Sequence, residues 1–236
     1  MERVAPVPIV ALDFASLDEA LRLVERLGHA CDFYKVGSAL FTVAGPPAVK
    51  ALRDRGKRVF LDLKYHDIPQ TVSFAAAAAA RSGASLLTVH ASGGEAMLRA
   101  AVDGAGPDCG VLAVSLLTSL AANDVSLAWG REVSDLETEV VRLAGLAAAC
   151  GVHGIVCGGD ELPAVRSRLA PELATLVPGI RFADGTRNDQ RRVVTPAEAA
   201  ARGATYIVAG RAVTGAPDAA AAMKRLCDEM RSTDPV

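Results

Sequence analysis

Apolar residues along the chain fall into short, β-branched runs that alternate with longer stretches of helical period. The runs at 8–14 (PIVALDF), 33–38 (FYKVGS), 58–64 (RVFLDLK) and 85–91 (SLLTVHA) predict four strands. Those at 110–117 (GVLAVSLL), 153–159 (HGIVCGG), 173–180 (LATLVPGI) and 205–210 (TYIVAG) predict four more. Between them, segments such as SLDEALRLVERLG, PAVKALRDRG, TVSFAAAAAARSG and DLETEVVRLAGLAAACG read as helices that close on Gly, a common helix stop. The alanine run reads as helix rather than disorder, because alanine is the best helix former. The strands are nearly continuous in apolar residues, which suits parallel strands covered on both faces. Eight βα units in 236 residues predict a (β/α)8 TIM barrel filling residues 1–236 as one domain, with a doubly wound open sheet as the alternative. The longest irregular stretches, about 118–135 and 181–195, each follow a strand and are expected to be active-site loops.

The third strand ends unlike a core strand, in FLDLKYHDIPQTV (60–72). Side chains alternate along a strand, so Phe60, Asp62 and Lys64 share one face while Val59, Leu61 and Leu63 share the other. In a barrel the first face points inward, and the charges stand at the C-terminal mouth, where such barrels place their chemistry. Asp13 ends the first predicted strand and Lys35 lies late in the second. Any one of these charges alone reads as a solvated cap. At three adjacent strand ends they read as a cluster whose members must pair, and hence as an acid/base or electrostatic device. Asp67 falls near a helix start, because Pro69 suits the first helical turn.

A second constellation lies near the end, in PGIRFADGTRNDQRR (178–192) and VAGRAVTG (208–215). Loops after strands seven and eight form the usual phosphate cradle of such barrels. There Gly210 lets a ligand approach the backbone, Arg181 and Arg211 supply a guanidinium fork, and Gln190 adds a neutral donor. Beyond the fifth strand, the hydroxyls of Thr118 and Ser119 either bond a polar ring or cap the next segment. His66, His90 and His153 lack metal-ligand spacing and read as locally satisfied polar residues.

Composition narrows the function. Twenty-five basic residues nearly balance 27 acidic ones, so no global field draws nucleic acid or an anionic membrane. Five scattered cysteines without a CxxC pair point to reduced thiols in the cytoplasm, not to a disulfide framework or zinc site. No signal peptide or membrane span is expected. GxxxxGK[ST] and GxGxxG are both lacking, so neither an ATPase nor a dinucleotide enzyme is indicated.

With these residues in view, the chain resembles the orotidine 5'-phosphate decarboxylase family. DLKYHDIPQTV matches its D-x-K-x-x-D-I-x-x-T signature. ALDF with Asp13, YKVG with Lys35, LLTS with Thr118, PGIR with Arg181, DQRR with Gln190, and GR with Gly210 and Arg211 follow in family order across the chain. The bare D-x-K-x-x-D also occurs in related barrels that decarboxylate keto-sugar phosphates or condense formaldehyde with a sugar phosphate. The resemblance implies a homodimeric barrel that turns orotidine 5'-monophosphate into uridine 5'-monophosphate and CO2 without metal or organic cofactor. It implies Lys64 as proton donor to C6, with Lys35, Asp62 and Asp67 completing the charged network. Asp13 and Lys35 would hold the ribose, Thr118 the pyrimidine, and Arg181, Gln190, Gly210 and Arg211 the phosphate. Asp67 and Thr71 would reach the neighbouring subunit's site, and Ile68 and Pro178 complete the substrate-binding set. The alternatives are a metal-dependent sugar-phosphate decarboxylase or aldolase on the same barrel, or a non-catalytic nucleotide-binding barrel.

Overall fold

The computed structural model describes residues 4–184 and 193–232. All eight expected strands form: β1 (Val7–Ala11), β2 (Phe33–Gly37), β3 (Arg58–Tyr65), β4 (Leu86–His90), β5 (Gly110–Val114), β6 (Gly154–Val156), β7 (Ala174–Val177) and β8 (Tyr206–Ala209). Each pairs in parallel with the next, and β8 returns to β1, so the sheet closes into a (β/α)8 barrel and the open-sheet alternative falls away. Outward residues such as Val10, Tyr34, Leu61 and Leu87 pack under the helices, whereas Ile9, Phe33, Phe60, Leu86, Leu112 and Leu176 form a separate core inside the barrel. Two cores back to back on one sheet explain why the strands read as continuous apolar runs.

Local chemistry starts and stops the helices. The Ser16 side chain accepts the Glu19 N–H at 3.3 Å to open the helix Leu17–Leu27. Thr195 and Glu198 form a reciprocal capping box at the helix Pro196–Ala201. The stretch 118–135 is not irregular throughout, as the sequence suggested, because a helix occupies Ala122–Trp129. Asp124 starts it by accepting the Ala121 N–H at 2.8 Å, and Gly130 ends it at φ 62°.

Two strand ends depart from regular alternation. β1 stops at Ala11, so Asp13 lies two residues beyond it, although Leu12 N–H still bonds Lys35 C=O at 2.9 Å. β3 slips against β4: Leu61 faces Leu87 and Tyr65 faces Val89, leaving Asp62, Leu63 and Lys64 opposite Thr88 alone. Such a bulge re-aims side chains and is common beside active sites.

The alanine run lies in the helix Pro69–Arg81, and packing adds a reason for its composition. The Ser73 backbone of this helix meets Gly104 of the helix Gly94–Ala105, where an added Cβ would stand 2.3 Å from the Ser73 oxygen. Ala76 and Ala79 are buried along the same helix, so small side chains let the two helices approach closely. Gly104→Ala should destabilise the fold by about 1–3 kcal/mol through overpacking, outweighing the ~1 kcal/mol that alanine gains over glycine in a helix. A lower urea midpoint is the expected result, and an unchanged or higher midpoint would rule out the close contact.

Candidate active site

Following the inward face up each strand shows how the mouth is built. On β1–β4 an apolar residue is succeeded two positions later by a polar one: Ala11 by Asp13, Phe33 by Lys35, Phe60 by Asp62, Leu86 by Thr88. On β5, β6, β7 and β8 the inward residues stay apolar at Val114, Val156, Leu176 and Val208. A cavity of about 490 Å³ sits above this floor. One wall is therefore charged and the opposite wall apolar.

The charges form an alternating chain. Lys35 Nζ lies 2.8 Å from Asp13 Oδ1 and 3.5 Å from Asp62 Oδ2, and Lys64 Nζ lies 2.8 Å from Asp62 Oδ1. The side chain of Asp62 is 12% exposed and that of Lys35 11%, against 61% for Asp13. Burial alone would raise the Asp62 pKa. The charges of Lys35 and Lys64, with hydrogen bonds from Lys64 and Thr88, outweigh it and hold the carboxyl below the ordinary aspartate value. Asp62 is thus a carboxylate at neutral pH, and removing either neighbouring cation would leave a buried charge poorly compensated.

The loops after β7 and β8 add a cationic part to the lining. Arg181 and Arg211 both line it, with Pro178, Gly179 and Gly210 between them in the wall. Arg181 is 7% exposed; its Nη1 donates to the Ile180 carbonyl at 2.7 Å, and its Nε has no hydrogen-bond partner among the described residues. Burial, and then the nearby charge of Arg211, hold Arg181 below the usual arginine pKa. Two guanidinium groups facing one cavity suit an anion. A Cβ added at Gly210 would meet no protein atom within 4 Å, so its missing side chain leaves room for a ligand at the wall.

Asp13, Lys35, Asp62, Lys64, Thr118, Pro178, Arg181, Gly210 and Arg211 all line this one cavity. Thr118 stands in the cavity wall, and Ala121 takes the cap position of the following helix. Asp67, Ile68 and Thr71 are exposed at the start of the helix Pro69–Arg81 and take no part in their own chain's cavity. Gln190 lies outside the described residues. His153 stands at the opposite end of the barrel, 3.3 Å from the Tyr206 hydroxyl, and the His66 and His90 rings lie 5.4 Å apart beside the charged wall.

Two residues escaped the sequence reading. Thr88 is 1% exposed, accepts the Lys64 N–H at 2.9 Å and donates to Asp62 Oδ1 at 2.9 Å. Gly37 leaves space for the Lys35–Asp13 pair, since a Cβ there would stand 2.9 Å from Lys35 Nζ and 3.0 Å from Asp13 Oδ1. Two-residue periodicity already put both on inward faces, Thr88 after Leu86 and Gly37 after Lys35.

Comparison with known proteins agrees with this geometry. The family model described as orotidine 5'-phosphate decarboxylase / HUMPS matches residues 6–226. A protein of Moorella thermoacetica named orotidine 5'-phosphate decarboxylase is 44% identical over 230 residues, covering 94% of this chain and 91% of its own. One of the same name from Anaeromyxobacter sp. strain K is 49% identical over 219 residues, covering 92% and 94%. The crystal structure of orotidine 5'-phosphate decarboxylase from Lactobacillus acidophilus superposes with a TM-score of 0.86 at 34% identity, over 97% of this chain and 100% of that one.

Proposed function

The chain belongs to the orotidine 5'-phosphate decarboxylase / HUMPS family, and from that premise we propose that it is a carbon–carbon lyase converting orotidine 5'-monophosphate to uridine 5'-monophosphate and CO2 in pyrimidine biosynthesis. The observation that carries this reading is the division of one cavity's lining between an alternating charged wall and a pair of arginines. A nucleotide whose phosphate lies far from its reacting carboxylate fits such a division. Residues 1–236 then act as one catalytic barrel domain.

In this reading the bond between C6 and the carboxylate breaks, CO2 leaves, and the electron pair stays on C6. The Lys64 ammonium stabilises that charge as it develops and then gives C6 a proton, regaining one from water. Asp62 holds the Lys64 side chain in place. Asp13 and Lys35 hold the ribose hydroxyls, and Thr118 and Pro178 contact the pyrimidine. Arg181, Gln190, Gly210 and Arg211 grip the phosphate through charge-assisted bonds worth about 1.5–3 kcal/mol each. That remote binding energy orients the ring over Lys64.

The working unit is proposed to be a homodimer with shared sites. Ile68 is 64% exposed and Phe74 67%, at the cap and within the helix Pro69–Arg81, and two large apolar side chains left in the open there suit cover by a second copy. Asp67, Ile68 and Thr71 then complete the site of the partner. No helix among the described residues is long and apolar enough to cross a membrane. On its proposed place in pyrimidine biosynthesis we assign the enzyme to the cytoplasm.

Orotidylate absorbance should fall when purified protein is added, with a chelator present to exclude a metal-dependent reaction. Lys64→Ala should lower that rate by roughly a thousandfold or more while binding uridine 5'-monophosphate through its phosphate. A wild-type protein that leaves the absorbance unchanged would sink the decarboxylase reading. Near-native turnover by Lys64→Ala would sink the proton-donor role.

The shared site has its own test. Asp67→Asn damages the site across the interface, and Arg211→Ala damages the site of its own chain, so each homodimer should be nearly inactive. In a mixed dimer one site carries both lesions and the other carries none. Random reassortment makes about half the dimers mixed, so about a quarter of all sites should recover when the two variants are unfolded and refolded together. Mixed dimers verified by mass spectrometry yet inactive would put Asp67 at work within its own chain.

A further inference from the structure

Among the described residues, Lys64 is the only one besides glycines with a positive φ, at 50°. Residues with side chains avoid that region, and one held there needs surrounding structure to keep it. The slip between β3 and β4 shows what does so. Asp62, Leu63 and Lys64 oppose only Thr88, so the ladder has no regular place for all three backbones. The Lys64 N–H instead donates to Thr88 Oγ1 at 2.9 Å. The same hydroxyl donates to Asp62 Oδ1 at 2.9 Å, and that oxygen also receives Lys64 Nζ at 2.8 Å. A closed ring results, running from the Lys64 backbone through Thr88 and Asp62 to the Lys64 ammonium. A hydroxyl has one proton to give, and Thr88 gives it to the carboxylate while accepting from the backbone.

We propose that Thr88 is a positioning residue for the reaction: its hydroxyl locks the Lys64 backbone into the left-handed turn and fixes the carboxylate that holds the Lys64 ammonium. Thr88 is 1% exposed and is absent from the cavity wall, so it acts through Lys64 and Asp62 without touching a ligand. Valine in its place keeps the β-branched shape but neither accepts from the Lys64 N–H nor donates to Asp62. Serine keeps both bonds. This inference rests on the reading of Lys64 as proton donor.

The experiment compares Thr88→Val and Thr88→Ser with the wild type in kcat, in affinity for uridine 5'-monophosphate and in crystal structure. Thr88→Val should lose about tenfold to a hundredfold in kcat, as expected for hydrogen bonds to charged groups. Its affinity for uridine 5'-monophosphate should change far less, because the phosphate grip is remote. Thr88→Ser should restore most of kcat. In the Thr88→Val crystal, Lys64 should leave positive φ or its Nζ should part from Asp62. Wild-type kcat in Thr88→Val, equal loss in both variants, or an unmoved Lys64 would each overturn the proposal. Should Thr88→Val not fold, Thr88→Ala makes the same comparison, and failure of both to fold would assign Thr88 to the core alone. The crystal comparison needs no turnover, so a wild type inactive on orotidylate would defeat the decarboxylase reading while Lys64 geometry still tests Thr88.

Discussion

Asp62 carries its charge where only 12% of its side chain meets water. A carboxylate in such a place survives as an ion only when cations and hydrogen-bond donors replace the lost solvent. Lys35 and Lys64 supply the cations and Thr88 supplies the neutral donor. Much of the mouth follows from this requirement. Lys35 is itself buried and has Asp13 as its second partner, and Gly37 leaves room for that pair where a Cβ would push it aside. Lys64 must double back from its strand to reach Asp62, which the bulge in β3 permits.

The opposite half of the barrel has a different task. Val114, Val156 and Val208 give the cavity an apolar floor across from the charges. Above this floor, β7 and β8 release the chain at Pro178 and Gly210, just before Arg181 and Arg211. The arginines after β7 and β8 and the charged wall of β1–β4 thereby face one cavity over an apolar floor. In the proposed reaction the far end binds and the near end reacts, and a rigid barrel keeps the two in register.

Much of this was legible in the chain. Continuous apolar runs separated by helical periods marked all eight strands, two-residue alternation put Asp62 and Lys64 on the inward face of the third, and Lys35 stood late in the second. Lys64 does reach the site, but through a bulge that local alternation does not reveal, because the slip depends on how β4 packs beside β3. Thr88 looked like an ordinary strand threonine for the same reason: its partners lie 24 and 26 residues away. Asp67, Ile68 and Thr71 stood out through family resemblance alone, and a single chain leaves them on its surface. The helix Ala122–Trp129 was taken for a loop because it is short, and its cap depends on a carboxylate reaching back from Asp124.

The central claim is that one ligand spans the cavity with its phosphate at the arginines and its reacting carbon at Lys64. A crystal structure of the protein with uridine 5'-monophosphate tests it most directly. The phosphate should lie against Arg181, Gly210 and Arg211, with C6 of the uracil facing Lys64 Nζ. A nucleotide bound the other way round, with its phosphate on Lys35 and Lys64, would contradict it.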